Sequence, residues 1–192
     1  MYSSQNKDIL FLIYGSEKSI FTLTDVAMLA GEADFGSLNK KLNYYVHQGK
    51  LQNPVRGIYA KSGYKATELC CRLYTPSYIS LEYVLQQAGI IFQYDERITA
   101  ISYLSRNLEI AGQTYKYRKI KGEILICTQG IQQINQVNIA TPERAFLDLM
   151  YLNSHYYFDN ISPLNKELVE QLLEIYQNKR LSHRVHKLLS YG

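Results

Sequence analysis

Tryptophan is absent from this chain of 192 residues, cysteine occurs three times and proline four. Cys70, Cys71 and Cys127 form no C-x-x-C pair, and adjacent cysteines seldom bridge one another. The thiols therefore read as reduced packing groups of a cytosolic protein rather than a disulfide framework. Long apolar runs are missing as well. The opening segment, MYSSQNKDILFLIYGSEKSIF, has no basic n-region and its apolar run stops after about five residues, which fits neither a signal peptide nor a membrane span. Internal repeats and low-complexity segments are also lacking. The expectation is a cytoplasmic protein with no membrane partner.

Catalytic signatures are equally scarce. There is no G-x-x-x-x-G-K-[ST] loop to cradle a triphosphate and no G-x-G-x-x-G after a strand. Gly15-Ser16 matches the start of a nucleotidyltransferase motif, but no D-x-D or D-x-E pair follows to hold a metal-bound nucleotide, and a helix end accounts for that glycine. His183 and His186 can share one helix face, yet no Cys or acid lies close by in sequence as a third ligand. The Pro-Asp and Glu-x-Lys arrangement of restriction-type nucleases is missing. Arg144 and Asp148, four residues apart, read most simply as a helix ion pair. We expect no enzyme: no catalytic residues, no metal site and no cofactor.

One absence is local. The stretch Gly36 to Lys65, GSLNKKLNYYVHQGKLQNPVRGIYAKSGYK, contains none of the chain's 17 acidic residues but holds six cations: Lys40, Lys41, Lys50, Arg56, Lys61 and Lys65. The net charge of the whole chain is only +4, so the surplus is concentrated here.

What is present is a globular composition, 46% hydrophobic and 20% charged, in a chain long enough for one large domain or two small ones. Residues 7–14 read as a short buried helix ended by Gly15. Ser19 to Leu23 fits a brief extended segment; Thr24 or Asp25 is the expected N-cap of a helix over Val26 to Ala30, closed by Gly31. The third helix is expected to start at Ser37 and to end at His47 or Gln48. Its apolar residues Leu38, Leu42, Tyr45 and Val46 share one stripe. Two short strands follow, with Asn53-Pro54 and Gly57 as turn formers. Three helices and a hairpin in about 60 residues is the order of a winged helix-turn-helix, assigned to residues 1–66.

Residues 67–192 read as a second, small mixed α/β domain, so the fold class is α+β. Residues 80–89 look helical. RITAISYLS, QTYKYRKI and EILICTQG have strand composition, separated by Asn-Leu-Glu, Gly112 and Lys121-Gly122. Thr141, Pro142 and Glu143 mark a strong helix start, Ser162 and Pro163 repeat that signature, and a last helix covers about Leu181 to Leu189. The basic run Tyr115 to Lys121 reads as a charged edge strand, or more sharply as a second nucleic-acid or acidic-protein surface. Lys179, Arg180, Arg184 and Lys187 fit cations at a helix end.

A helix fits the DNA major groove, with its N-terminal turns approaching base edges. The exposed face of the third helix would offer Ser37, Asn39, Lys40, Lys41, Asn43, Tyr44 and His47, among which Asn can pair with adenine and Lys can donate to guanine or phosphate. Lys50, Arg56 and Lys61 are placed on the wing, where backbone or minor-groove contact is expected. Tyr45 belongs by phase to the core. The alternative is a winged helix that packs against protein without binding DNA.

Three short motifs and their order add a family likeness: Arg56-Gly57-Ile58-Tyr59 on the wing, Tyr78-Ile79-Ser80-Leu81 as a helix start, and Ala140-Thr141-Pro142-Glu143-Arg144 continuing to Leu147-Asp148. The chain resembles, over nearly its whole length, the AbiEi family of antitoxins from type IV toxin–antitoxin (abortive infection) systems. The resemblance implies a transcriptional repressor that binds inverted repeats of double-stranded DNA in its own operon. It also implies a C-terminal domain that counteracts a nucleotidyltransferase-like toxin without a stable complex. The basic positions matching the family's DNA-binding residues are Lys40, Lys41, Lys50 and Arg56.

Overall fold

The computed structural model describes residues 8–190, and the chain divides into two compact units between Leu69 and Cys70. Helix and strand are mixed along it, with one sheet in each unit: the protein is α+β.

In the first unit helix α1 spans Ile9–Gly15 and starts on Asp8, whose carboxylate accepts from the Leu10 N–H at 3.0 Å. The expected start at residue 7 lies outside the described residues. Strand β1 (Ile20–Thr22) runs directly into helix α2 (Leu23–Ala30). Thr22, not Thr24 or Asp25, is the N-cap. The Asp25 N–H donates to Thr22 Oγ1 at 3.2 Å and the Thr22 N–H to Asp25 Oδ2 at 2.7 Å, a reciprocal box that satisfies two end donors and starts the helix early. Gly31, left-handed at φ 66°, ends it.

Helix α3 (Phe35–His47) is capped by Asp34, whose Oδ1 accepts from Gly36 and Ser37 at 2.9 and 3.0 Å. Ser37, the expected cap, therefore sits inside the first turn. Strands β2 (Gln52–Val55) and β3 (Ile58–Ala60) join β1 in an antiparallel sheet of order β1-β3-β2. The reversal is at Arg56-Gly57, with Gly57 at φ 81°. Asn53-Pro54, expected as a turn, lies within β2; this strand is an edge, where a residue without an N–H is tolerated. Asn53 still serves the turn, donating from Nδ2 to the Val55 and Ile58 carbonyls at 3.0 and 2.7 Å.

Ile9, Ile13, Phe21, Val26, Leu38, Leu42 and Tyr59 form the core of this unit. Helix α4 (Ala66–Leu73) follows, within a segment for which no helix was expected. Its Glu68 is buried and accepts from the Ser19 hydroxyl at 2.6 Å and from the Ser19 and Ile20 N–H groups at 3.0 Å, so the start of β1 is held by a side chain 48 or 49 residues away.

The second unit carries strands β4 (Ser77–Ile79), β5 (Ile98–Ser102), β6 (Arg106–Ile110), β7 (Gln113–Lys119), β8 (Ile131–Ile134) and β9 (Val137–Ala140). Their order is β6-β7-β5-β4-β9-β8, with β4–β9 and β5–β7 parallel and the other neighbours antiparallel. Helices α5 (Glu82–Gln87), α6 (Gly122–Ile126), α7 (Pro142–Leu152), α8 (Lys166–Leu173) and α9 (Lys179–Leu189) complete it, with a 3-10 turn at Glu174–Tyr176.

Several expectations are corrected here. Tyr78 and Ile79 belong to β4 rather than to a helix start. Asn107-Leu108-Glu109, read as a separator, is the middle of β6. EILICTQG forms α6 and a loop instead of a strand. Tyr115 to Lys119 is an interior strand between β6 and β5, with Tyr115 and Tyr117 buried, and not an edge. Asn165 caps α8, accepting from the Leu168 N–H at 3.2 Å, while the Ser162 N–H is held by Asn160. Thr141 caps α7 with Pro142 in its first turn, as its sequence predicts. Among the described residues no helix is long and apolar enough to cross a membrane.

Candidate nucleic-acid interface

Helix α3 divides cleanly by phase. Leu38 and Leu42 are fully buried, and Tyr45 and Val46 pack against the same core. On the opposite side Asn39, Lys40, Asn43, Tyr44 and His47 are exposed, three or four residues apart and hence neighbours on one surface. Ser37 and Lys41 are half-buried on the flank; Lys41 does not share the open face of Lys40. Tyr44 is 57% exposed, and its ring stands 5.9 Å from that of Tyr45.

The hairpin is locked to this helix. Tyr59, buried on β3, donates its hydroxyl to Asn39 Oδ1 at 2.7 Å and lies 3.2 Å from Asn43 Oδ1. Burial raises the Tyr59 pKa, so the hydroxyl keeps its proton. Sequence reasoning named Tyr59 only within the wing motif and gave its hydroxyl no role: nothing in a strand tyrosine's neighbours says which helix that hydroxyl will meet.

Cations surround the exposed face. Lys50 lies just past α3, with its Nζ 6.0 Å from the Tyr45 ring, and Arg56 is exposed at the hairpin turn. Lys40, Lys41, Lys50 and Arg56 form no ion pair with a carboxylate among the described residues. Lys61 behaves differently. It follows β3, away from the hairpin tip, and its ammonium donates to the Ser16 and Tyr14 carbonyls at the end of α1. A cation there satisfies orphan carbonyls and the negative end of the helix dipole. The placement of Lys61 on the wing is thus corrected: it closes α1.

Asp34 is a second departure. The acid-free stretch begins two residues after it, yet its carboxylate sits on the first turn of α3 and occupies the Gly36 and Ser37 N–H groups. The positive end of the helix dipole is thereby neutralised. The electropositive surface lies farther along, from Lys40 to His47 and onto Lys50 and Arg56.

The second unit has a different polar centre. Arg144 and Asp148 pair on α7 and are both fully buried. Arg144 donates to the carbonyls of Gln129 (2.8 Å) and Ile124 (2.7 Å) and to the Tyr78 hydroxyl (3.1 Å). Asp148 accepts from Tyr176 (2.7 Å), Tyr78 (3.2 Å) and Ser80 (2.8 Å). The guanidinium also faces the Tyr78 and Tyr176 rings, 5.4 and 5.6 Å from their centroids. Burial opposes the charge on Arg144, but Tyr176, Asp148 and Tyr78 outweigh it and raise its pKa. Burial pushes the Asp148 carboxyl up, against the pull of Arg144, Tyr176, Ser80 and Tyr78. With no exposure and these partners, the cluster ties α7 to β4, α6 and the Glu174–Tyr176 turn.

His186 lies 2.8 Å from Glu170, and among the described residues no group of three or more His, Cys, Asp or Glu side chains is placed to hold a metal ion. The three cysteines are unbridged, and burial pushes the Cys70 thiol up to about 12.

No family model matches the chain, and no curated protein does. Among solved structures it is similar to the crystal structure of the RV2827C protein from Mycobacterium tuberculosis, at 13% identity and a TM-score of 0.52, over 97% of this chain and 78% of that one. Likeness at this identity concerns the fold alone.

Proposed function

We propose that the first unit binds duplex DNA as a winged helix-turn-helix, with α3 in the major groove and the β2–β3 hairpin as the wing. The order α1-β1-α2-α3-β2-β3, the short link from Gly31 to Asp34 and the β1-β3-β2 sheet support this reading. The observation that carries it is the surface joining α3 to the hairpin: Lys40, Lys50 and Arg56, without carboxylate partners among the described residues, beside the two amides Asn39 and Asn43. Cations without internal partners are free to displace counterions from phosphate, and amides read base edges.

With the motif resemblance described above, the fuller reading is a cytoplasmic repressor of the AbiEi type, the antitoxin of a type IV system. It would bind inverted repeats in its own operon and oppose a nucleotidyltransferase-like toxin without a stable complex. Catalysis, metal and cofactor have no part in this reading. A protein-binding role for the first unit has one observation in its favour. Met28 and Phe35, 72% and 46% exposed, line a shallow groove with Gly31 and Glu32.

The test is titration of the full chain against duplex DNA from immediately upstream of its own reading frame. Affinity should fall by about a hundredfold or more between roughly 50 and 200 mM salt. Lys40→Glu combined with Arg56→Glu should weaken binding at least about tenfold with the fold intact. Equal binding by the parent and that double variant at both salt concentrations overturns the proposal.

A further inference from the structure

Tyr59 has one hydroxyl proton and two amides before it. The contact to Asn39 Oδ1 is 2.7 Å and that to Asn43 Oδ1 is 3.2 Å. A hydroxyl donates one hydrogen bond and accepts two, so the shorter contact takes the proton. The oxygen and nitrogen of a side-chain amide exchange places by a half-turn that leaves its shape unchanged. Turned in that way, Asn43 donates from Nδ2 to a lone pair of the Tyr59 oxygen, and an oxygen–oxygen repulsion becomes a bond. The hydroxyl is held in place for this: Tyr59 is 3% exposed, on the central strand of the sheet.

We propose that Tyr59 sets the hydrogen-bonding polarity of the two amides that α3 presents to DNA, so that Asn43 selects adenine while Asn39 selects an acceptor-only edge such as guanine. The proposal rests on the DNA-binding reading and deepens it. Asn43, giving one N–H to Tyr59, keeps its oxygen and its other N–H outward, the acceptor–donor pair that matches adenine N6–H and N7. Asn39, accepting from Tyr59 on one lone pair of its oxygen, turns its NH2 end outward, a donor end that suits guanine O6 and N7. One turn apart on the helix, the two amides address neighbouring positions along the groove. Tyr59 is a positioning residue: it acts through the amides and never meets the bases.

The amides are coupled through a single proton, and this makes the idea separable from a structural role. Asn39→Ala removes the acceptor that takes the proton. Tyr59 then donates to Asn43, which turns its NH2 outward, and the Asn43 position changes its preference from adenine to guanine although neither Asn43 nor Tyr59 has been altered.

The experiment is selection of bound duplexes from a randomised library with the full chain and with Asn39→Ala, Asn43→Ala and Tyr59→Phe. The parent should enrich a motif in which one adenine preference vanishes with Asn43→Ala. In Asn39→Ala that same position should switch to guanine. Tyr59→Phe should bind unselected duplex within about twofold of the parent, with the same salt dependence, but prefer the enriched motif about tenfold less. An unchanged preference at that position in Asn39→Ala overturns the proposal and leaves DNA binding standing. Failure of the parent to bind or enrich any duplex removes the DNA-binding reading, and this proposal with it.

Discussion

Arg144 Nε and Asp148 Oδ1 lie 3.4 Å apart on successive turns of α7, and neither side chain has any exposure to solvent. Taking two charges out of water costs several kcal/mol per ion, which mutual attraction offsets only where other hydrogen bonds complete the set. Here Tyr78, Ser80, Tyr176 and the Gln129 and Ile124 carbonyls complete it.

Removing both members should therefore do less harm than the two single losses added together. Arg144→Met or Asp148→Leu alone is expected to cost about 3–5 kcal/mol of unfolding free energy, because the remaining charge is stranded. The double variant is expected to lose less than the sum of the two. Urea denaturation of all four proteins gives the coupling energy directly, and additive losses would contradict the arrangement described.

On the proposed DNA-binding reading, Asp34 should have opposite effects on stability and on DNA affinity. Asp34→Asn keeps an efficient cap and should change stability by no more than about 0.5 kcal/mol, whereas Asp34→Ala should lose about 1 kcal/mol. Both remove a negative charge from the start of α3, so both should bind duplex DNA more tightly than the parent at low salt, an advantage that fades as salt rises. Melting curves and binding titrations on the same two variants separate the effects.

Lys61→Ala tests the reassigned cation. Because its ammonium closes α1, the substitution should destabilise the first unit by about 0.5–1.5 kcal/mol. The salt dependence of DNA binding should stay that of the parent. A salt slope reduced by about one would return Lys61 to the phosphate contacts.

Cys70 links stability to alkaline pH. Burial raises its thiol to about 12 in the folded chain from an ordinary value of 9.0, so the unfolded chain loses the proton first. A raised folded value stabilises below the unfolded one and is lost as pH climbs through the folded one. The contribution should therefore decline between roughly pH 9 and 12, and Cys70→Ala should flatten that part of the stability profile. At pH 8 Cys70 should also be the slowest of the three cysteines to react with iodoacetamide, which peptide mapping would show.

Much of the local structure was legible because its cause is local. Leu38, Leu42 and Tyr45 identify the inner stripe of α3, and Thr141-Pro142-Glu143 states the start of α7 in three residues. The starts of α2 and α3 were misplaced because Thr22 and Asp34 reach two or three residues forward, past equally suitable caps. Partnership at a distance was not legible. Ile124 and Leu125 have strand composition, yet α6 forms where Arg144 captures the Ile124 carbonyl. Tyr115 and Tyr117 alternate correctly, but only the sheet order places them inside rather than at an edge. For the candidate interface, the exposed amides and cations could be read from helical phase, whereas the Tyr59 hydroxyl and the diversion of Lys61 depend on contacts 16 to 47 residues apart in sequence.

Glu68 determines where the N-terminal unit can be cut. A fragment stopped at Ala66 would leave the Ser19 and Ile20 amides without their acceptor, and the first strand of the small sheet would fray at its leading end. Carried on through Leu73, the same fragment retains both the carboxylate and the helix that presents it. Seven further residues separate a piece that starts its sheet unaided from one that brings its own clasp.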